Sequence, residues 1–334
     1  MRWFGAIALA VSALAVAGCG KEEKPAAPVS GSAPAARAAE MVTGPDLEKV
    51  ARAPRPFRLA LVVKTRNNPF FSPMIREAEA QAKALGVELD VQAPPQESDK
   101  ELQFSAVQNL VARGVDAILI APADSRGIVP ALMAAQQKGV VIINLDNRVD
   151  SQAAQKAGLA LGGYVGADNE SGGRLAGEAM AATLSGKTKV AILEGIRGAD
   201  NAEARRRGFE SSAGKLEIVS RETAEWDTEK AYTKFTTVLA AHPDLGGLFC
   251  ANDKMAIGAM KAIAEAGRTK AIRVVGYDNI PDVKKYLASG AMTATIEQHP
   301  DLMGRFGVMM AVGVLTKSIP AGREYLVPLE VVNR

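Results

Sequence analysis

The sequence predicts an α/β protein made of two doubly wound parallel sheets. Three observations carry this prediction. From Phe57 onward, short apolar runs alternate with amphipathic stretches of helical length, the pattern of parallel strands with helices on both faces. The runs are too many for one sheet of ordinary size, and 334 residues suit two lobes, the second starting near Asp168. Polar residues collect directly after the apolar runs, at what would be strand carboxyl ends.

Taken in order, strands are expected over 58–64, 87–91, 116–120, 140–145, 161–165, 189–194, 217–222, 247–250, 272–276, 292–296 and 329–332. Helices are expected over 69–85, 100–113, 125–137, 169–184, 201–213, 228–241, 254–266, 281–287 and 301–316. Gly86, Gly114, Gly139, Gly267 and Gly290 stand where helices should stop. The organising stretch is Lys64-Thr65-Arg66-Asn67-Asn68-Pro69-Phe70-Phe71, between the first strand and the first long helix. Asn68 sits where an N-cap would be, and Pro69 suits a first helical turn. Adjacent Phe70 and Phe71 cannot both enter one apolar stripe, so at least one is expected to face a cleft.

The amino end reads as an export signal: Arg2 supplies the charge and 7–17 the apolar run, shorter than the roughly 20 residues of a spanning helix. Leu14-Ala15-Val16-Ala17-Gly18-Cys19 has the pattern of a bacterial lipobox, with Cys19 the lipidated residue. Gly20 in place of Asp favours the outer membrane. Residues 20–56, rich in Ala, Pro, Gly and Ser, read as a flexible tether. Cys250, in a strand pattern, is expected to be a buried thiol without a disulfide partner. A net charge of +3 with no long basic run gives no nucleic-acid footprint.

Asp146, Asn147, Asn252, Asp278 and Gln298 follow predicted strands, and Arg205 opens a predicted helix two turns after the strand ending at Glu194. Each alone suits a turn or a cap as well as a ligand contact. If two lobes face each other at these ends, they converge in one cleft.

These residues carry a resemblance. Lys64 to Phe71, Asn144-Leu-Asp-Asn-Arg-Val-Asp150, Gly166-Ala-Asp-Asn169, Glu203-Ala-Arg-Arg-Arg-Gly-Phe209, Ala224-Glu-Trp-Asp227, Cys250-Ala-Asn-Asp-Lys-Met-Ala256, Val275-Gly-Tyr-Asp278 and Met292-Thr-Ala-Thr-Ile-Glu-Gln298 follow one another as in periplasmic monosaccharide-binding proteins of the ribose-binding class. From Phe57 on, the chain resembles that type I family, its allose-binding branch above all. The resemblance implies two Rossmann-like lobes joined by three crossings, near 167–168, 298–299 and 328, with the ligand between them. One lobe would comprise 57–167 with 299–327, the other 168–298 with 328–334.

By position, Asn68, Asp146, Arg205, Asn252, Asp278 and Gln298 would meet sugar hydroxyls, while Phe70, Phe71 and Trp226 would sandwich the ring. Lys64 and Asn147 depart from the ribose-specific pattern and point to a hexose such as allose ahead of ribose, with ribose still open. The implied function is sugar capture by hinge closure and delivery to the permease of an ATP-driven (ABC) importer or to a chemoreceptor, by a monomer with no cofactor. Another polyol or a signal furanose stays open as ligand.

Rival readings have less behind them. Ser185-Gly186-Lys187-Thr188 lacks the first glycine of a phosphate loop, since Ala181 holds that place. His242 and His299, each before a proline, gather no metal ligands, and no catalytic residues are assigned. A lac-repressor-class regulator shares the fold, but a signal and tether are expected where its DNA-binding headpiece would be.

Overall fold

The structure, a computed structural model, describes residues 41–334. The expected signal segment, Cys19 and the first part of the tether lie outside the described residues. Two parallel sheets organise the rest. In the first, β1 (Arg58–Val62), β2 (Glu88–Gln92), β3 (Ala117–Ile120), β4 (Val141–Leu145), β5 (Gly163–Gly166) and β11 (Arg323–Leu326) run in the order β11-β5-β4-β3-β1-β2. In the second, β6 (Lys189–Glu194), β7 (Glu217–Thr223), β8 (Gly247–Cys250) and β9 (Arg273–Val275) run β7-β6-β8-β9. β10 (Thr295–Glu297) follows a parallel bridge from Val275 to Ala294 and pairs antiparallel with β12 (Glu330–Val332).

The central strands are buried on both faces, which is why they read as unbroken apolar runs: Ala60, Leu61 and Val62 have no exposed surface. Burying a Leu or Val side chain such as Leu61 or Val62 contributes about 1.5–3 kcal/mol. Helices α2 (Phe71–Leu85), α3 (Lys100–Ala112), α4 (Val129–Gln137) and α5 (Ser151–Ala157) connect the strands of the first sheet. Helices α6 (Asn169–Ala181), α7 (Asp200–Ser212), α8 (Thr228–Ala241) and α9 (Asp253–Glu265), with the short α10 (Lys284–Ser289), belong to the second. The chain passes between the sheets after β5, between β10 and α11 (Pro300–Leu315), and between β11 and β12; α11 packs on α2, β4 and β5.

All five expected helix-ending glycines adopt left-handed backbone, with φ from 68° to 78°. Cys250 is a buried free thiol.

Three expectations are corrected. The tether does not extend to Pro56. Met41 bridges Glu324 in parallel at the edge of the first sheet, a short α1 (Gly44–Glu48) follows, and Leu47 is fully buried. Val42, Leu47 and Val50 are too sparse to make a period that the eye would find. α2 begins at Phe71, so Asn68 is no N-cap of that helix; its Oδ1 accepts from the Phe70 amide at 3.1 Å in the preceding turn. α5 and β11 were absent from the expectation. α5 is only 7 residues long, and β11 is a half-buried edge strand carrying Arg323 and Glu324.

Candidate functional site

The carboxyl ends of both sheets meet around one narrow cavity, whose water-accessible volume is only about 10 Å³. Both sheets place it where adjacent loops diverge to opposite faces, beside β1 and β3 in one and β6 and β8 in the other.

The first lobe supplies a loop wall. Lys64 Nζ lies 3.1 Å from Asp146 Oδ2, and both side chains are almost wholly buried. Asp146 follows β4 in left-handed backbone, φ 55°, which Asp tolerates better than most residues. Its carbonyl accepts from the Tyr164 hydroxyl at 2.8 Å, fixing that turn. Phe70 and Phe71 both line the cavity, edge to face with centroids 5.0 Å apart. Glu97, after β2, accepts from Asn68 Nδ2 at 2.8 Å. Burial pushes the Glu97 carboxyl above the usual range, resisted by Lys64 and by the Asn68 bond.

The second lobe supplies a network centred on Arg205 in α7. Its Nε donates to Asn169 Oδ1 at 2.8 Å, Nη1 to the Ala251 carbonyl at 2.9 Å, and Nη2 to Gln298 Oε1 at 3.2 Å. Nη1 also lies 3.5 Å from Asp278 Oδ1, which accepts from Gln298 Nε2 at 2.7 Å. The guanidinium stacks 3.7 Å above the Tyr277 ring. Glycines set the height of this network. A Cβ on Gly173 of α6 would run into the Arg205 carbonyl, and one on Gly208 of α7 into the Glu170 carbonyl. The two helices therefore approach backbone to backbone, and Arg205 reaches the cavity.

Burial pushes the Asp278 carboxyl well above the usual range, with Arg205 resisting. Asp253 lies just behind. It accepts from the Tyr277 and Ile280 amides at 3.0 and 3.1 Å and from Thr295 Oγ1 at 2.9 Å, so it pins the loop that carries Asp278. Burial pushes Asp253 up to about 7 against those donors. Trp226, at φ 65°, lines the opposite side and is 3% exposed. Asn252 caps α9 through Oδ1, accepting from the Met255 amide at 2.9 Å, which leaves its amide NH₂ for the cavity.

Ten of the eleven residues expected at a ligand thus line one cavity: Lys64, Asn68, Phe70, Phe71, Asp146, Arg205, Trp226, Asn252, Asp278 and Gln298. Asn147 does not. Its Nδ2 donates to the Pro122 carbonyl at 2.9 Å and lies 3.1 Å from Ser125 Oγ, and its Oδ1 accepts from the Asn201 amide at 3.0 Å. The left-handed turn at Asp146 sends consecutive side chains to opposite sides.

Two lining residues escaped the sequence reading. Glu97 sits in Pro94-Pro95-Gln96-Glu97-Ser98-Asp99, which reads as a solvated turn. Asn201 lies one helical turn before Arg205, a spacing that could have revealed it; its buried Oδ1 has no partner.

The arrangement offers donors, acceptors and flat rings together, as a polyhydroxylated ring requires. Among the described residues no group of His, Cys, Asp and Glu could hold a metal ion.

Known proteins share this fold. The family model described as periplasmic binding protein domain matches residues 59–318. A D-ribose/D-allose-binding protein of Pseudomonas aeruginosa is 38% identical over 274 residues, 81% of this chain and 86% of its own length. The D-allose-binding periplasmic protein of Escherichia coli is 36% identical over 76% of this chain and 83% of its own. The crystal structure of an ABC transporter periplasmic solute-binding protein from Actinobacillus succinogenes with bound D-allose superposes with a TM-score of 0.77 at 38% identity, covering 83% of this chain and 97% of that one. These relatives are sugar-binding transport proteins, not enzymes. The chain belongs to the periplasmic binding protein domain family, with its type I fold.

Proposed function

We propose that this protein captures a monosaccharide between its lobes and hands it to an ABC importer. One observation carries the reading: side chains from both sheets, aromatic and hydrogen-bonding together, converge on one narrow cavity. A ligand touching both walls binds the closed form better and shifts the population toward it. The moving bodies would be 57–167 with 299–327 and 168–298 with 328–334, the segment 41–56 riding with the first.

Asp146, Asp278 and Glu97 would accept from sugar hydroxyls, the Asn252 amide and Lys64 would donate, and Phe70, Phe71 and Trp226 would cover the ring faces. Arg205 would donate in a fork after exchanging part of its contact with Gln298 and Asp278. The buried Lys64–Asp146 pair at the far wall adds a donor and an acceptor in reach of an extra hydroxyl, which favours a hexose such as allose over ribose. Such a site discriminates strongly against analogues lacking a hydroxyl, because a buried polar group is then unmatched.

The lipobox pattern at Cys19 supports a lipid anchor facing the periplasm, and Gly20 favours the outer membrane. A chemoreceptor would read the same closed surface, and the protein would act as a monomer.

The test is calorimetric titration of the protein with D-allose, D-ribose, other aldoses, ketoses and inositol. One-to-one binding of an aldose, the sugar recovered unchanged, is the expected result. Preference for inositol or a furanose would move the ligand within the same reading; heat from no member would refute it.

A further inference from the structure

Helix α7 carries Arg205, yet it begins without a cap of its own. Its N-cap residue is Ala199, whose side chain can accept nothing. The first helical amides are instead satisfied from the opposite lobe. Asp200 N–H donates to Ser125 Oγ at 3.1 Å, and Asn201 N–H donates to Asn147 Oδ1 at 3.0 Å. Asn147 has no exposed surface and Ser125 only 2%. Both acceptors are held in place: Asn147 Nδ2 is anchored on the Pro122 carbonyl and Ser125 Oγ, and Asn144 Nδ2 donates to the Asn147 carbonyl at 2.8 Å. Asp200 adds a carboxyl that burial pushes upward and that Arg148, on the first lobe, holds down from across the seam.

We propose that Asn147 and Ser125 form a closure latch, capping α7 in trans when the lobes meet and leaving its amides to water when they part. This rests on the hinge reading above. The latch touches no ligand, so it sets how easily the protein closes without choosing which sugar is bound. It also couples closure to Arg205, which lies on the same helix a little over one turn further along. Asn147 is thereby a positioning residue.

An N-cap of this kind is worth about a fivefold change in an equilibrium. Three variants of the full chain test the latch: Asn147→Ala, Ser125→Ala and Ala199→Ser. The third gives α7 a cap of its own, competing with Asn147 for the Asn201 amide in either form. Two measurements are made. Calorimetry reads the affinities for D-allose and D-ribose. Distance distributions are read between probes on genetically encoded azide side chains replacing the exposed Lys83 and Lys270, one per lobe.

Asn147→Ala should weaken both sugars by the same factor, about fivefold, and raise the open population without sugar. Ala199→Ser should also favour opening while leaving the melting temperature unchanged or higher, which simple damage to the fold would not do. A changed allose-to-ribose ratio with unchanged populations would overturn the latch and make Asn147 a ligand contact. Probes that sugar moves but no variant moves would overturn the latch alone. Probes that nothing moves would overturn the hinge reading and the latch with it.

Discussion

The two walls of the cavity are built on different principles. On the first lobe, Lys64 and Asp146 sit on loops beyond β1 and β4 and meet mainly each other. On the second, Arg205 ties Asn169 of α6, the Ala251 carbonyl beyond β8, Asp278 and Gln298 into one unit, with Tyr277 beneath. A group with one ionic partner can be exchanged together with that partner. A group that satisfies several elements at once cannot. The first wall is therefore an adjustable surface for recognition, and the second is recognition fused to the fold.

The contrast is sharpest for Arg205. Arg205→Met takes the Arg205 donor from Asn169, Gln298 and the Ala251 carbonyl and removes the cationic partner of Asp278, and breaking a buried pair in this way costs about 3–5 kcal/mol. Thermal melts should show a fall on the order of 10 °C, and calorimetry at least a hundredfold loss of sugar affinity. Next is the paired replacement Lys64→Met with Asp146→Leu. Swapping a whole buried ion pair for apolar groups is nearly neutral for stability. The melting temperature should stay within about 3 °C while affinity again drops about a hundredfold. If this double variant melts as early as Arg205→Met, the distinction between the walls is wrong.

A smaller effect follows from pH. Asp253 is pushed up to about 7, and Asp278 and Glu97 also lie above their ordinary range. Unfolded carboxyls titrate near 4, so between about 4 and about 7 the native state holds more protons than the unfolded chain. The stability Asp253 contributes is complete below about 4 and is lost as pH rises through about 7, and Asp278 and Glu97 act in the same direction. Melts at pH 5 and pH 8 should differ by about 5 °C, the lower pH being the more stable. Asp253→Asn should flatten that slope while lowering stability at both values, because an amide cannot accept all three of its bonds. The smallest effect is on the first wall: Phe70→Leu should weaken sugar binding about fivefold by calorimetry, with little change in melting.

The same contrast explains what could be read from the sequence. Residues that follow apolar strands in short polar insertions, such as Asp146, Asn252 and Asp278, were legible because the period of the strand marks where the sheet ends. Glu97 was not, since its loop is proline-rich and polar and its burial arises only when Lys64 and Asn68 fold over it. Asn147 lies off the cavity that Asp146 lines because adjacent residues in a loop share a motif but not a direction. The left-handed φ of Asp146, which separates them, is a tertiary fact. The segment 41–56 looks like a tether because its contacts are few and far apart in sequence, α1 against α11 and Met41 against Glu324. Edge strand β11 lacked an apolar run because one of its sides is solvated.

The most direct test of the central claim, that both walls grip one small sugar, is titration of the unaltered protein with D-allose while the Lys83–Lys270 separation is followed. The account predicts saturable one-to-one binding with a shorter separation that tracks occupancy. Binding without any change in separation, or no binding of any monosaccharide, would contradict it.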